Sequence, residues 1–182
     1  MSITATSGRY SRLSIAMHWL MALLIVAVYA CMELKGNFPK GSEPRELLKH
    51  WHFVLGLSVL ALVWLRLLGR LLAKAPAIQP KPPAWQTGTA HLMHLALYLL
   101  MIGMPLVGWL LLNAEGKPAP FFGMELPMLV QKDHGLAETL EELHEFGANA
   151  GYFLIGLHAV AALFHHYVVR DNTLVRMLPG RN

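Results

Sequence analysis

The stretch LHEFGANAGYFLIGLHAVAALFHHYVV, residues 143–169, combines an apolar helical pattern with two widely spaced histidines, His144 and His158. Fourteen residues separate them, which is about 3.9 turns of an α-helix, so both imidazoles leave by nearly the same face. Along the helix axis they lie about 21 Å apart. One helix therefore offers two ligands at two depths, and the rest of the chain has to supply their partners.

The composition places this helix in a membrane protein. Of the 182 residues, 55% are hydrophobic and 14% are charged, and the mean hydropathy of +0.43 is far above that of a soluble domain. Four apolar segments are each long enough to cross a hydrocarbon core about 30 Å thick. They predict helices at about residues 12–33, 47–72, 88–113 and 138–169. We therefore predict an all-α integral membrane four-helix bundle that forms a single domain over residues 1–182.

The basic residues predict the orientation of the bundle. With the N-terminus inside, nine Lys and Arg residues lie on the inner side and six on the outer side, and this excess predicts that both termini are cytoplasmic. Acids follow the opposite rule, because one lies inside and ten lie outside. The net charge is then +8 inside (nine minus one) and −4 outside (six minus ten). Nothing in this distribution resembles a nucleic-acid-binding surface, and the lipid bilayer is the predicted partner.

Two further histidines complete pairs with those of the last helix. The first helix runs from inside to outside and carries His18 near its inner end, at the level that His158 reaches on the last helix. The second helix runs inward and carries His52 at the outer level of His144. Two stacked pairs of this kind are what two b-type haems require, and histidine in hydrocarbon is usually functional. The alternatives are that the histidines line polar pockets, or that His50 replaces His52.

Two arginines follow on the histidine-bearing face of the second helix. Arg66 and Arg70 lie fourteen and eighteen residues after His52, which places them at the inner level. One alternative is that both extend to the cytoplasmic interface. The other is that they point into the bundle and pair with the propionates of an inner haem or with an anionic intermediate.

A second group of histidines is predicted at the inner side. His91 and His94 begin the third helix, and His165 and His166 end the fourth. Such a cluster could bind the head group of a quinone and relay protons to it. A solvated cluster at the membrane interface is the alternative.

Several motifs together resemble one known family. YSRLSIAMHW at 10–19, the HxxxG of His52 to Gly56, AHLMHLALYLL at 90–100, ANAGYFLIGLHAVAALFHHY at 148–167 and RDNTLVRMLP at 170–179 are similar to the bacterial cytochrome b-561 family, in particular to its superoxide oxidase branch. The resemblance covers about residues 9–179. It implies a multi-pass protein of the bacterial inner membrane with two haem b groups. His18 and His158 would hold the cytoplasmic-side haem, and His52 and His144 the periplasmic-side haem.

The resemblance also implies an activity. Superoxide would be oxidised at the periplasmic haem, and electrons would pass to ubiquinone near His165, His91 and His94. Because the outer surface is net acidic, steering of the anion would have to come from the local basic residues of the first outer loop, which are Lys35, Lys40, Arg45 and Lys49. Two alternatives remain: a cytochrome b subunit that takes electrons from a partner dehydrogenase, and a carrier that moves a transition metal through the membrane.

Overall fold

Four long helices account for most of the protein. The computed structural model describes residues 8–73 and 75–180, in which helices α1 to α4 span Arg12–Leu34, Glu43–Leu72, Ala84–Ala114 and His134–Phe164. All four are long and apolar enough to cross a membrane. The predicted all-α membrane bundle is therefore confirmed. A π-helical turn, His165–Val169, continues α4.

Helices α2, α3 and α4 each begin four residues earlier than predicted. Pro44 lies in the first turn of α2, where the missing N–H of proline has no cost. The Asp133 side chain accepts a hydrogen bond of 3.0 Å from the Leu136 N–H and caps α4. These first turns are polar, so a prediction from hydropathy starts the helices too late.

Consecutive helices pack side by side: α1 on α2, α2 on α3 and α3 on α4. At mid-depth, Met21, Val59, Val63 and Met101 form the buried centre of the bundle. The outward faces are apolar, as Phe153 shows with 80% of its surface exposed. Apolar faces of this kind suit contact with lipid chains.

Tyrosines join α1 to α4. The Tyr29 hydroxyl donates a hydrogen bond of 2.9 Å to the Ala148 carbonyl, and its ring centroid lies 4.4 Å from that of Tyr152. Gly151 permits this approach, because a Cβ at that position would collide with the Tyr29 hydroxyl. The contact fixes the distance between the helices that carry His18 and His158.

A short hairpin covers the predicted outer side, and it was not predicted from the sequence. Strands β1 (Ala119–Phe121) and β2 (Met124–Leu126) pair antiparallel. The turn between them has positive φ at both central residues, Phe122 and Gly123, as a tight hairpin turn requires. Ala119 is fully buried against α2 and α3. Strands of three residues are too short to produce a recognisable alternation in the sequence.

Residues 171–178, which we call the C-terminal strap, close the inner side. The Trp19 indole N–H donates to the Met177 carbonyl at 2.7 Å, and the Tyr10 N–H donates to the Arg176 carbonyl at 3.1 Å. Asn172 exchanges hydrogen bonds with the backbone of Gln79, at 2.9 and 3.2 Å. The strap therefore ties the end of the chain to the start of α1 and to the loop between α2 and α3.

Candidate functional site

The outer pair, His52 and His144, lies between α2 and α4. The ring centroids are 6.1 Å apart and the ring planes are at 80°. If each ring presents one nitrogen to its partner, this spacing leaves about 4 Å between the nitrogens, which is the sum of two metal–nitrogen bonds of about 2.0–2.1 Å. His52 Nδ1 lies 3.1 Å from the Val28 carbonyl oxygen. A carbonyl only accepts, so the proton is on Nδ1 and Nε2 keeps its lone pair for a metal.

The outer pair opens into a cavity of about 400 Å³, which we call the outer cavity. Two glycines shape its walls. A Cβ at Gly56 would meet nothing within 4 Å, whereas a Cβ at Gly108 would lie 3.1 Å from His144 Cε1. His144 Nδ1 is buried and lies against Gly108 of α3, where an added Cβ would be 3.6 Å from it. His50 is exposed on the α2 surface and lies beside Trp51, so His52 is the residue that meets His144.

The inner pair, His18 and His158, lies between α1 and α4. Its ring centroids are 6.3 Å apart and the planes are at 84°, so the two pairs have nearly the same geometry at two depths. His94 of α3 lies close to the same site, with its ring centroid 5.6 Å from that of His158. The structure therefore brings three histidines together at the inner level, where the sequence analysis paired two.

Arg66 points into the bundle rather than toward the interface. Its Nη2 lies 3.1 Å from His18 Nδ1, and its Nη1 is buried without a partner among the described residues. A buried guanidinium nitrogen without an acceptor is costly, so this geometry fits an anionic group beside the inner pair. Arg70 is exposed, but it lines, with Arg66, an inner cavity of about 210 Å³ that also borders Ser14 and Tyr98.

The second group of histidines does not gather into one cluster. His94 contacts His158, His91 is exposed, and His165 lies with its Nδ1 2.5 Å from a carboxylate oxygen of Asp171. His166 packs its ring against Tyr167. The four side chains thus have different neighbours, and the alternative of a solvated position fits the exposed His91.

Asp171 is a site residue that the sequence analysis did not single out, although it is the one acid of the predicted inner side. Its side chain is 1% exposed. Burial acts to raise the pKa of Asp171, but hydrogen bonds from Thr173 and His165 outweigh burial and hold this pKa below its ordinary value. The group is therefore a carboxylate at neutral pH.

Two of the predicted steering residues, Lys35 and Arg45, have different surroundings. Lys35 lines the outer cavity, in which it is the cation among the lining residues. Arg45 instead donates from Nη1 to the carbonyls of Lys35 and Phe38, at 3.1 and 3.0 Å. Its guanidinium thus holds the turn after α1. The neighbouring acid Glu33 accepts a hydrogen bond of 2.6 Å from the Tyr152 hydroxyl.

In the part of the chain that the structure describes, no group of three or more His, Cys, Asp or Glu side chains, the three inner histidines included, is arranged to hold a bare metal ion. Two axial histidines suffice for haem iron, because the porphyrin supplies the other ligands. Four membrane helices with two facing histidine pairs thus define the class of protein, a membrane cytochrome b.

Comparisons with known proteins agree with this class. The family model of the prokaryotic cytochrome b561 matches residues 9–180. The chain is 42% identical to cytochrome b561 homolog 1 of Escherichia coli K12, over 96% of this chain and 99% of that protein. It is also 42% identical to the probable superoxide oxidase CybB of Yersinia pestis, over 95% and 97%. Cytochrome b562 of Cereibacter sphaeroides is 31% identical over 94% and 96%.

The protein belongs to the prokaryotic cytochrome b561 family, whose members are haem-binding electron-transfer proteins of the membrane. The resemblance found in the sequence is thereby confirmed. The residues present fit a b-type haem at the outer pair, through the 6.1 Å spacing, the fixed proton on His52 Nδ1 and the glycine walls of the cavity. At the inner pair, the spacing of 6.3 Å fits a second b-type haem. The unpartnered nitrogen of Arg66 fits the anionic carboxylates of such a group.

Proposed function

We propose that this protein oxidises superoxide on the periplasmic side and reduces ubiquinone on the cytoplasmic side, with a haem b at each histidine pair. Two superoxide anions give two O2 and two electrons, and ubiquinone takes up these electrons and two protons to form ubiquinol. The observation that carries the proposal is the stacking of two equivalent histidine pairs at the two ends of α4. Such stacking suits electron passage across the membrane and serves no purpose in a one-sided reaction.

Each bound haem would supply the one-electron chemistry. The protein's own residues would set its position and surroundings. His52 and His144 would hold the outer group, and the Val28 carbonyl would keep the His52 ring in the ligating tautomer. His18 and His158 would hold the inner group, and Arg66 and Arg70 would bind its carboxylates.

Lys35 supports an anionic substrate at the outer cavity. The predicted outer side is net acidic, and Glu145 also lines the cavity, so the bulk field there opposes superoxide. Lys35 supplies a local positive charge where the cavity begins, while Glu33 is held by Tyr152. The name of the Yersinia relative, a probable superoxide oxidase, supports the same substrate.

The proposal is tested by following haem reduction when superoxide is generated near the purified protein by xanthine and xanthine oxidase. We expect superoxide dismutase to abolish the reduction, and added ubiquinone-1 to return the haems to the oxidised state. Lys35→Gln should slow the reduction and weaken its dependence on ionic strength, because the local attraction of the anion is lost. Lys117→Gln is the control, because it removes one positive charge on the predicted outer side, as Lys35→Gln does. Lys117 pairs with Glu115 and does not line the outer cavity. Reduction that persists when superoxide dismutase is present would show that superoxide is not the electron donor in this assay and would contradict the proposal.

The proposed sidedness makes a separate prediction about topology. A reporter enzyme that works only in the periplasm should be active when fused near Gly41 or Lys117 and inactive when fused near Gln79 or after Asn182, because basic residues stay inside. Enzyme activity in colonies that express each fusion measures the outcome. An active C-terminal fusion would invert the bundle and exchange the donor and acceptor ends.

A further inference from the structure

An acid–histidine pair lies at the cytoplasmic end of α4, outside both histidine pairs. His165 Nδ1 and Asp171 Oδ2 are 2.5 Å apart, and the ring is 20% exposed while the carboxylate is 1% exposed. A buried carboxylate is costly unless charged or donating groups satisfy it. The contact with His165 therefore stabilises the buried carboxylate, and neither residue belongs to the two pairs that would hold haem.

The backbone is bent in an unusual way to make this contact. Residues His165–Val169 form a π-helical turn, and Arg170 then adopts a left-handed conformation with φ 58° and ψ 39°. That conformation is uncommon for a non-glycine residue because its Cβ crowds the backbone. The reversal allows the Asp171 N–H to donate to the His165 carbonyl at 3.1 Å and returns the Asp171 side chain to the ring six residues before it. Deviations of this kind are frequent at functional sites.

Each carboxylate oxygen of Asp171 has a defined donor. Oδ1 accepts a hydrogen bond of 2.8 Å from the Thr173 N–H, and Oδ2 faces His165 Nδ1. A carboxylate only accepts, so the ring proton must be on Nδ1. Nε2 of His165 has no hydrogen-bond partner among the described residues, and it is not among their fully buried unpartnered atoms. It is therefore the nitrogen free to exchange protons.

We propose that Asp171 is a positioning residue that holds the His165 proton on Nδ1 and thereby makes Nε2 the proton donor to the quinone; this rests on the proposed ubiquinone reduction. Nε2 takes a proton from cytoplasmic water, and the Asp171 carboxylate stabilises the charged ring. The Nε2–H bond then breaks as an O–H bond forms on the quinone oxygen, and the ring returns to its neutral form with Nδ1–H unchanged. Two such transfers accompany the two electrons and complete ubiquinol.

Asp171→Asn should reverse the tautomer of His165 while it keeps the shape of the side chain at position 171. The Thr173 N–H still needs an acceptor, so the new amide oxygen would face Thr173 and its NH2 group would face His165. His165 Nδ1 would then have to accept, and its proton would move to Nε2. The variant also removes the charge that stabilises a doubly protonated ring.

The experiment uses the full-length protein with both haems, reduced by dithionite and mixed with ubiquinone-1 in a stopped-flow spectrometer, so it does not depend on superoxide. Asp171→Asn should lower the maximal reoxidation rate by roughly 10- to 100-fold, the usual effect of removing a partner that orients a working imidazole. The ubiquinone-1 concentration at half-maximal rate should stay the same. In a His165→Ala background, Asp171→Asn should add no further loss, because the two residues act as one unit.

Asn172→Ala is the matched control, because it removes strap contacts to Gln79 and Ala77 and leaves the acid–histidine pair. Equal slowing in Asn172→Ala and Asp171→Asn would show that Asp171 merely holds the strap and would overturn the proposal. A wild-type reoxidation rate in Asp171→Asn would also overturn the proposal. If Asp171→Asn does not retain its haems, nitrogen-15 NMR of the wild-type histidines decides, with the His165 signal assigned by its loss in His165→Gln. A proton on Nε2 of neutral His165 would refute the proposal.

Discussion

His52→Ala or His144→Ala should each remove one haem and leave the other, and His18→Ala or His158→Ala should remove the second haem and leave the first. Each pair has the spacing of two axial ligands, 6.1 and 6.3 Å between ring centroids, and alanine offers no ligand to iron. Each variant should therefore fall from two haems per chain to one. Pyridine haemochrome assay gives the haem content, and reduced-minus-oxidised visible spectra show which band is lost.

His94 provides the sharpest check of the inner pair. Its ring is closer to His158 than that of His18 is, at 5.6 Å against 6.3 Å between centroids, so distance alone would favour a His94–His158 pair. We expect His18 to be the ligand because its pairing with His158 repeats the geometry of the outer pair. Two haems in His18→Ala, together with one haem in His94→Ala, would contradict this assignment. His50→Ala, on the exposed face of α2, should keep both haems.

His165→Ala should leave both haem spectra and their reduction by superoxide intact, yet slow reoxidation by ubiquinone-1 by roughly 10²- to 10⁴-fold, the usual contribution of a positioned proton donor. His165 follows the proposed inner ligand His158 by seven residues, about 10 Å farther toward the end of α4 that is predicted to be cytoplasmic. It is therefore near the inner haem without being its ligand. Stopped-flow absorbance after mixing the reduced protein with ubiquinone-1 gives the rate.

His166 is the matched control for this prediction. It is the next residue in the same π-helical turn, but its ring packs on Tyr167 and makes no contact with Asp171 among the described residues. His166→Ala should change the rate far less than His165→Ala does. A wild-type rate in His165→Ala would remove this residue from the mechanism and place the quinone elsewhere, with the inner cavity beside Arg66 and Tyr98 as the next site to test.

The depth of the histidines could be predicted from the sequence because it depends only on local geometry. A helix rises by a fixed amount per residue, so once four membrane-length segments were recognised, His18 fell level with His158 and His52 level with His144. In the structure the His18 ring lies 6.3 Å from that of His158 and the His52 ring 6.1 Å from that of His144. The same rule places His165 two turns beyond His158, because α4 stays α-helical through Phe164 and the π-helical turn begins only at His165.

Contacts between segments distant in the sequence were decided only by the tertiary structure. The sequence allowed Arg66 to point either toward the interface or into the bundle. In the structure it points into the bundle, because it contacts His18, which is 48 residues away in the sequence. Arg45 was predicted to attract an anion, yet it is bound to backbone carbonyls after α1. Asp171 meets His165 only because Arg170 turns left-handed and the strap is held by Gln79 and Trp19. Helical periodicity fixes which residues share a depth and a face, but the rotation of each helix and the path of each loop follow from packing, which no single segment contains.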